Sequence, residues 1–178
     1  MFIEELSRLK DEKKLIAVYT NIDNTNKFAA GYVVGVNEQY FILAAITPAG
    51  KYDGFLLKKT EPIYKISTDG RYIDKLLQLI SINKTEVNLM FDHDNLIQQL
   101  LVFAQQNRAI VSVELIDSGY DDCIGFVELI DENVCKIQEI NEYGEADGVS
   151  LIKLSDITKV SCDDSDDQPL KLLYESRL

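Results

Sequence analysis

A chain of 178 residues, 46% of them apolar, is long enough for one packed domain or two small ones, and its formal charge is −12. It has no apolar run of the roughly 18 residues that span a membrane. The opening MFIEELSRLKDEKK lacks a signal peptide's apolar stretch and cleavage site, so a cytoplasmic location is expected.

The elements read from periodicity begin with a helix carrying Ile3, Leu6 and Leu9 on one stripe. Five β-rich runs follow: LIAVYT, AAGYVVGV, QYFILAAI, FLLKK and IYKIS. A second helix is expected from Gly70 to Ile80. Residues 81–93 then read as a linker with some extended structure. A third helix carries Leu96, Ile97, Leu100, Leu101 and Ala104, with Asp94 placed as its N-cap. Five further runs, IVSVELI, CIGFVELI, VCKIQEI, VSLIKL and ITKVS, precede a last helix at about Gln168 to Ser176. Apolar residues of both parities occupy the middle runs, as a bent strand packed on two sides requires.

The same order thus occurs twice. GKYDG at Gly50 to Gly54 returns as GEADG at Gly144 to Gly148, 94 positions later. Residues 15–80 laid on 109–174 without a gap agree at about a quarter of positions, among them Ile16 with Ile110 and Asp23 with Asp117. Turn glycines and core-sized aliphatics dominate the matches, so what repeats is a fold. Gly50, Asp53, Gly54, Gly144, Asp147 and Gly148 are assigned to the reversal between the third and fourth strands, and Gly31 and Gly125, inside the second, to the sharp coiling that closes a small barrel. The domains expected are 1–80, a helix with its barrel, the linker 81–93, and 94–178, a second helix with its barrel.

Charge separates the two halves. Residues 1–108 carry about as many Lys and Arg as Asp and Glu, so essentially the whole acidic excess falls in 109–178. A field of that sign repels phosphates and disfavours broad nucleic-acid binding.

A leading helix and five short strands, with a glycine in strand two and a hairpin joining strands three and four, resemble the Sm-like fold, a bent SH3-like small barrel. VSVELIDSGYDDCIGFVELIDENVCKIQEI looks like that family's first motif, with Gly125 as its glycine, and LIKLSDITKV like a degenerate second one. The resemblance implies a mainly β protein of two tandem five-stranded barrels, each preceded by a helix. It also implies strand-edge association, with strand four of one barrel adding to strand five of the next. The family's RNA contacts do not carry over. Glu38 and Glu132 take the place of its loop Asp, Phe41 and Cys135 that of its base-reading Asn, and Glu61-Pro62 and Ser155-Asp156 that of its Arg-Gly pair. The remaining candidate RNA contacts are Tyr40 and Phe41 for stacking and Lys58 and Lys59 for phosphates.

No catalytic, metal or cofactor residues are expected. His93 stands in FDHDN between Asp92 and Asp94, but adjacent side chains seldom face one another, and no phosphate loop, G-x-S-x-G elbow or H-E-x-x-H occurs. The acidic turn Asp163 to Asp167 lacks the central Gly and terminal Glu of a calcium loop. Cys123, Cys135 and Cys162 are odd in number and lack C-x-x-C spacing, which favours buried thiols over disulfides or zinc. The function expected is a non-enzymatic interaction module pairing with itself or with a protein partner. RNA binding is the alternative.

Overall fold

The structure, a computed structural model, describes residues 1–178. It divides into two compact units, Met1–Leu96 and Ile97–Leu178. The protein is mainly β, with ten strands, all paired antiparallel, and four α-helices.

The first unit contains α1 (Phe2–Asp11), β1 (Leu15–Tyr19), β2 (Ala29–Val36), β3 (Tyr40–Ile46), β4 (Tyr52–Lys59), β5 (Lys65–Ser67) and α2 (Arg71–Asn83). Its strands are bonded in the order β5-β1-β2-β3-β4. The second has β6 (Ile110–Leu115), β7 (Cys123–Ile130), β8 (Val134–Ile140), β9 (Ala146–Lys153), β10 (Ile157–Cys162) and α4 (Gln168–Glu175), in the order β10-β6-β7-β8-β9. Helix α3 (Leu96–Asn107) leads into β6. In neither unit do the fourth and fifth strands bond each other, so the closed barrels expected from the sequence are open sheets. In the first unit the reason is visible in β5, which is three residues long and bonds only β1. The expected linker is also shorter at its start, because α2 runs on through Ser81 to Asn83. Asn95, with φ 47°, stands directly before α3, where Asp94 was expected.

Strand β1 is buried on both faces, and the two sets of neighbours explain its mixed parity. Ile16 and Val18 join Leu6 and Leu9 of α1, Phe41 and Leu43 in one cluster. Leu15 and Ala17 join Ala30 and, from α2, Ile73 and Leu76 in another. Burying a leucine completely, as at Leu6, Leu9 and Leu76, stabilises by about 1.5–3 kcal/mol each, so apolar burial holds both helices to the sheet.

Both α1 and α3 end without glycine. Lys14 N donates to Leu9 O at 3.0 Å and Lys13 N to Lys10 O at 3.1 Å, a Schellman closure with Lys13 at φ 50°. Ala109 N and Arg108 N do the same to Ala104 O and Gln105 O, at 2.9 and 3.3 Å, with Arg108 at φ 49°. These positions lie 95 apart, not 94.

The same offset appears in β1. Ile16 faces Gly31 across the first pair of strands, whereas Val111, not Ile110, faces Gly125 in the second unit. From β2 onward the registers agree at 94: Gly31 faces Ala45 and Gly125 faces Glu139, and the bulges at Val33/Gly35 and Ala44/Ile46 return at Val127/Leu129 and Gln138/Ile140. The gapless match is therefore one residue out before β2, because the β6–β7 connection is a residue shorter.

Candidate interaction surfaces

The hairpin glycines have two distinct roles. In the first unit Gly50 N donates to Thr47 O at 2.9 Å and Thr47 N to Lys51 O at 2.8 Å, closing a turn with Pro48 at its second position. In the second unit Gly144 N donates to Asn141 O at 3.0 Å and Asn141 N to Glu145 O at 2.9 Å. Gly50 and Gly144 have φ 77° and 72°, and a Cβ on either would come within 2.5 Å of the Cβ of Leu79 or Leu173. The turns thus lie hard against α2 and α4. Asp53, Gly54, Asp147 and Gly148 lie beyond the turns, inside β4 and β9, where two residues oppose Ala45 or Glu139 and the glycines take φ 75° and 98°. At Gly31 and Gly125 a Cβ would overlap the carbonyl oxygen of Ala44 or Gln138 on the next strand.

The residues expected to meet RNA are brought together, and two of them are buried. Tyr40 pairs with Lys59 and Phe41 with Lys58 across β3 and β4. Phe41 is fully buried in the core and Tyr40 is 8% exposed, so neither ring presents a face on which a base could stack. Cys135 is also fully buried, so both positions corresponding to the family's base-reading amide lie in the interior. Lys58 Nζ donates to Thr20 Oγ1 at 3.0 Å.

An aromatic cluster that the sequence reading passed over lies on the first unit. Tyr19 stands 5.2 Å from Phe28 and 6.2 Å from Tyr64, Phe28 meets Tyr72 edge-on at 5.0 Å, and Lys65 Nζ lies 4.5 Å above the Tyr19 ring. Phe28 and Tyr64 remain more than a third exposed. The sequence signal was the placement of aromatics just inside or outside strand ends, at Tyr19, Phe28 and Tyr64.

Each unit's sheet has an end strand with a single partner. β5 pairs only with β1, and β9 only with β8. β9 is eight residues long and largely exposed, including Val149 and Leu151. Proteins usually protect such edges with proline, inward charge or a cover.

The remaining candidates are accounted for locally. His93 Nε2 lies 3.2 Å from Asp94 Oδ1 with both side chains exposed, and its carbonyl accepts from Asn37 Nδ2 at 3.1 Å. No three His, Cys, Asp or Glu side chains are grouped to hold a metal ion, and no helix is long and apolar enough to cross a membrane. All three cysteines are free and buried, and burial raises the pKa of each, that of Cys135 to about 12. Asp167, in the acidic turn, is pushed up to about 7, first by burial and then by Asp164.

No family model, curated protein or solved structure matches the chain.

Proposed function

We propose that the chain is a non-enzymatic interaction module of two tandem Sm-like units that associates through strand edges, with further copies of itself or with a protein partner. The observation that carries this reading is the pair of open edges. The fifth strand of the first unit, β5, and the fourth strand of the second, β9, each have one neighbour, and an edge of unpaired N–H and C=O groups is a template for a further strand. Tandem descent of the units is supported by registers and bulges that recur at one spacing from β2 onward. Charge favours joining unlike ends, since the first half is neutral and the second carries the acidic excess.

Light scattering across a hundredfold range of concentration tests this. The expected result is a mass that rises with concentration and falls to monomer in Val149→Pro or Ser150→Pro, one of which removes an outward-facing N–H of β9. A monomer at every concentration, with no protein co-purifying, sinks the reading.

A second reading, RNA binding, is favoured only by the Tyr19, Phe28, Tyr64 and Lys65 cluster, where partly exposed rings adjoin one cation, Lys65. It predicts salt-dependent affinity for single-stranded RNA that Tyr64→Ala and Lys65→Glu abolish. No binding at low salt disposes of it.

A further inference from the structure

Corresponding faces of the two units are finished differently. In the first unit a row crosses three strands: Gly35 faces Ile42, and Ile42 faces Leu57. Phe55, two residues from Leu57, is on the same side of β4. Ile42, Leu57 and Phe55 are all buried. The segment leading into α3 covers part of this row. Phe91 N donates to Val34 O at 2.7 Å, its ring meets Phe55 edge-on at 5.3 Å, and a Cβ on Gly35 would come within 3.1 Å of Phe91 Cβ and 2.9 Å of Leu96 Cδ2. Gly35 lacks a side chain where Phe91 and Leu96 take the space.

The row 94 positions on is Leu129, Lys136 and Leu151, with Val149 standing where Phe55 does. Here nothing covers it: Leu129 is 53% exposed, Val149 50% and Leu151 68%. Lys136, in the middle, is paired with Glu128 at 2.8 Å and half exposed.

Helix α1 bears an unfinished surface of its own. At the 95-residue spacing of α1 and α3, Met1 and Phe2 correspond to Leu96 and Ile97. Leu96 and Ile97 are buried, whereas Met1 is 99% and Phe2 41% exposed. Glu4 and Glu5 are in the same first turn.

We infer that the apolar patch Leu129, Val149 and Leu151 is the seat for the N-terminal turn of α1 from a second copy of this chain. Met1 and Phe2 would cover Leu129 as Leu96 covers Gly35, while Glu5 stays paired with its own Arg8 at 2.5 Å and Glu4 would come to the rim beside the Lys136–Glu128 pair, so the match rests on the apolar contact and the recurring position. Glu5 stands where α3 has the buried Leu100, so the apolar contact ends after one turn and the seam is reversible. This inference rests on the self-association proposed above and gives it a direction, the second unit of one copy meeting the first helix of the next.

The test uses full-length chains. Phe2→Cys and Leu129→Cys are made separately, given distinguishable masses, mixed under mild oxidation and compared with each alone. The native thiols are buried and do not compete. The expected result is a mixed disulfide dimer at several times the yield of either like pair. Equal yields, with wild-type chain still oligomeric by light scattering, overturn this seat and leave edge pairing standing. A wild-type chain that stays monomeric and forms no mixed dimer overturns both.

Discussion

The Ser112 hydroxyl donates to the Asp167 carboxylate at 3.3 Å, at the place where the first unit packs Ala17 with Ile73. Ala17 and Ile73 belong to an apolar cluster beneath α2, while Asp167 is 8% exposed beside α4. The second unit has thus put a carboxyl where its counterpart keeps an aliphatic side chain. Three further acidic groups, Asp164, Asp121 and Asp166, raise the cost of ionising it.

Stability of the second unit should therefore depend on pH. The folded pKa of Asp167, about 7, lies above its ordinary value of 3.8, so between those values the folded state keeps a proton that the unfolded state has lost. This contribution is fully present below about pH 4, declines as pH rises, and is gone above about pH 7. A shift of that size corresponds to about 4 kcal/mol, and partial solvent screening reduces it to on the order of 2 kcal/mol. Denaturant titrations at pH 4.5, 6 and 7.5 should show Asp167→Asn flattening this slope relative to wild type. An unchanged slope would mean that Asp167 ionises freely in the fold.

The two strand glycines should be the least replaceable residues in the sheets. At Gly31 and Gly125 a Cβ would overlap a carbonyl on the neighbouring strand, and neither ladder can move without losing its hydrogen bonds. Gly31→Ala and Gly125→Ala should each cost about 1–3 kcal/mol in chemical denaturation. Gly148→Asn, in a bulge where an added Cβ would meet nothing within 4 Å, should cost about 1–2 kcal/mol by backbone strain alone, because its φ of 98° lies beyond the left-handed well that asparagine tolerates.

All ten strands and four helices were legible, because apolar runs with β-branched residues ended at turn residues and helical stripes kept their spacing. The starts of β4 and β9 were not. YDG and ADG look like turns in sequence, but the ladder continues through Gly54 and Gly148 as bulges. Mixed parity in CIGFVELI and VSLIKL also misled: Leu129, Val149 and Leu151 looked like the second buried side of a bent strand but are exposed. Composition does not say whether an apolar face has a cover within its own chain. Tyr40 and Phe41 show the converse, since aromatics in a strand serve core and ligand equally well, and only the fold shows them buried.

The cysteines should resist labelling in the folded protein. Burial raises all three thiol pKa values, that of Cys162 most, so almost no thiolate forms at pH 8, and each sulfur is also shielded from reagent. Reaction with a disulfide reagent should proceed at the rate of unfolding and become fast for all three in denaturant. Rapid loss of one thiol from native protein would show that its strand opens locally.

The helix ends offer a stabilising change. Lys13 and Arg108 hold left-handed φ angles of 50° and 49° to close their Schellman motifs, a conformation that costs a side-chain-bearing residue roughly 1–2 kcal/mol and glycine almost nothing. Glycine also loses more backbone entropy on folding, which offsets part of that gain. Lys13→Gly and Arg108→Gly should each raise stability by about 0.5–1 kcal/mol, and their effects should add because the residues close different helices in different units. Calorimetry of both single variants and the double variant checks this. A loss of stability in Lys13→Gly alone would mean that the side chain, which lines a pocket together with Tyr32 and Val33, contributes more than its backbone loses by strain.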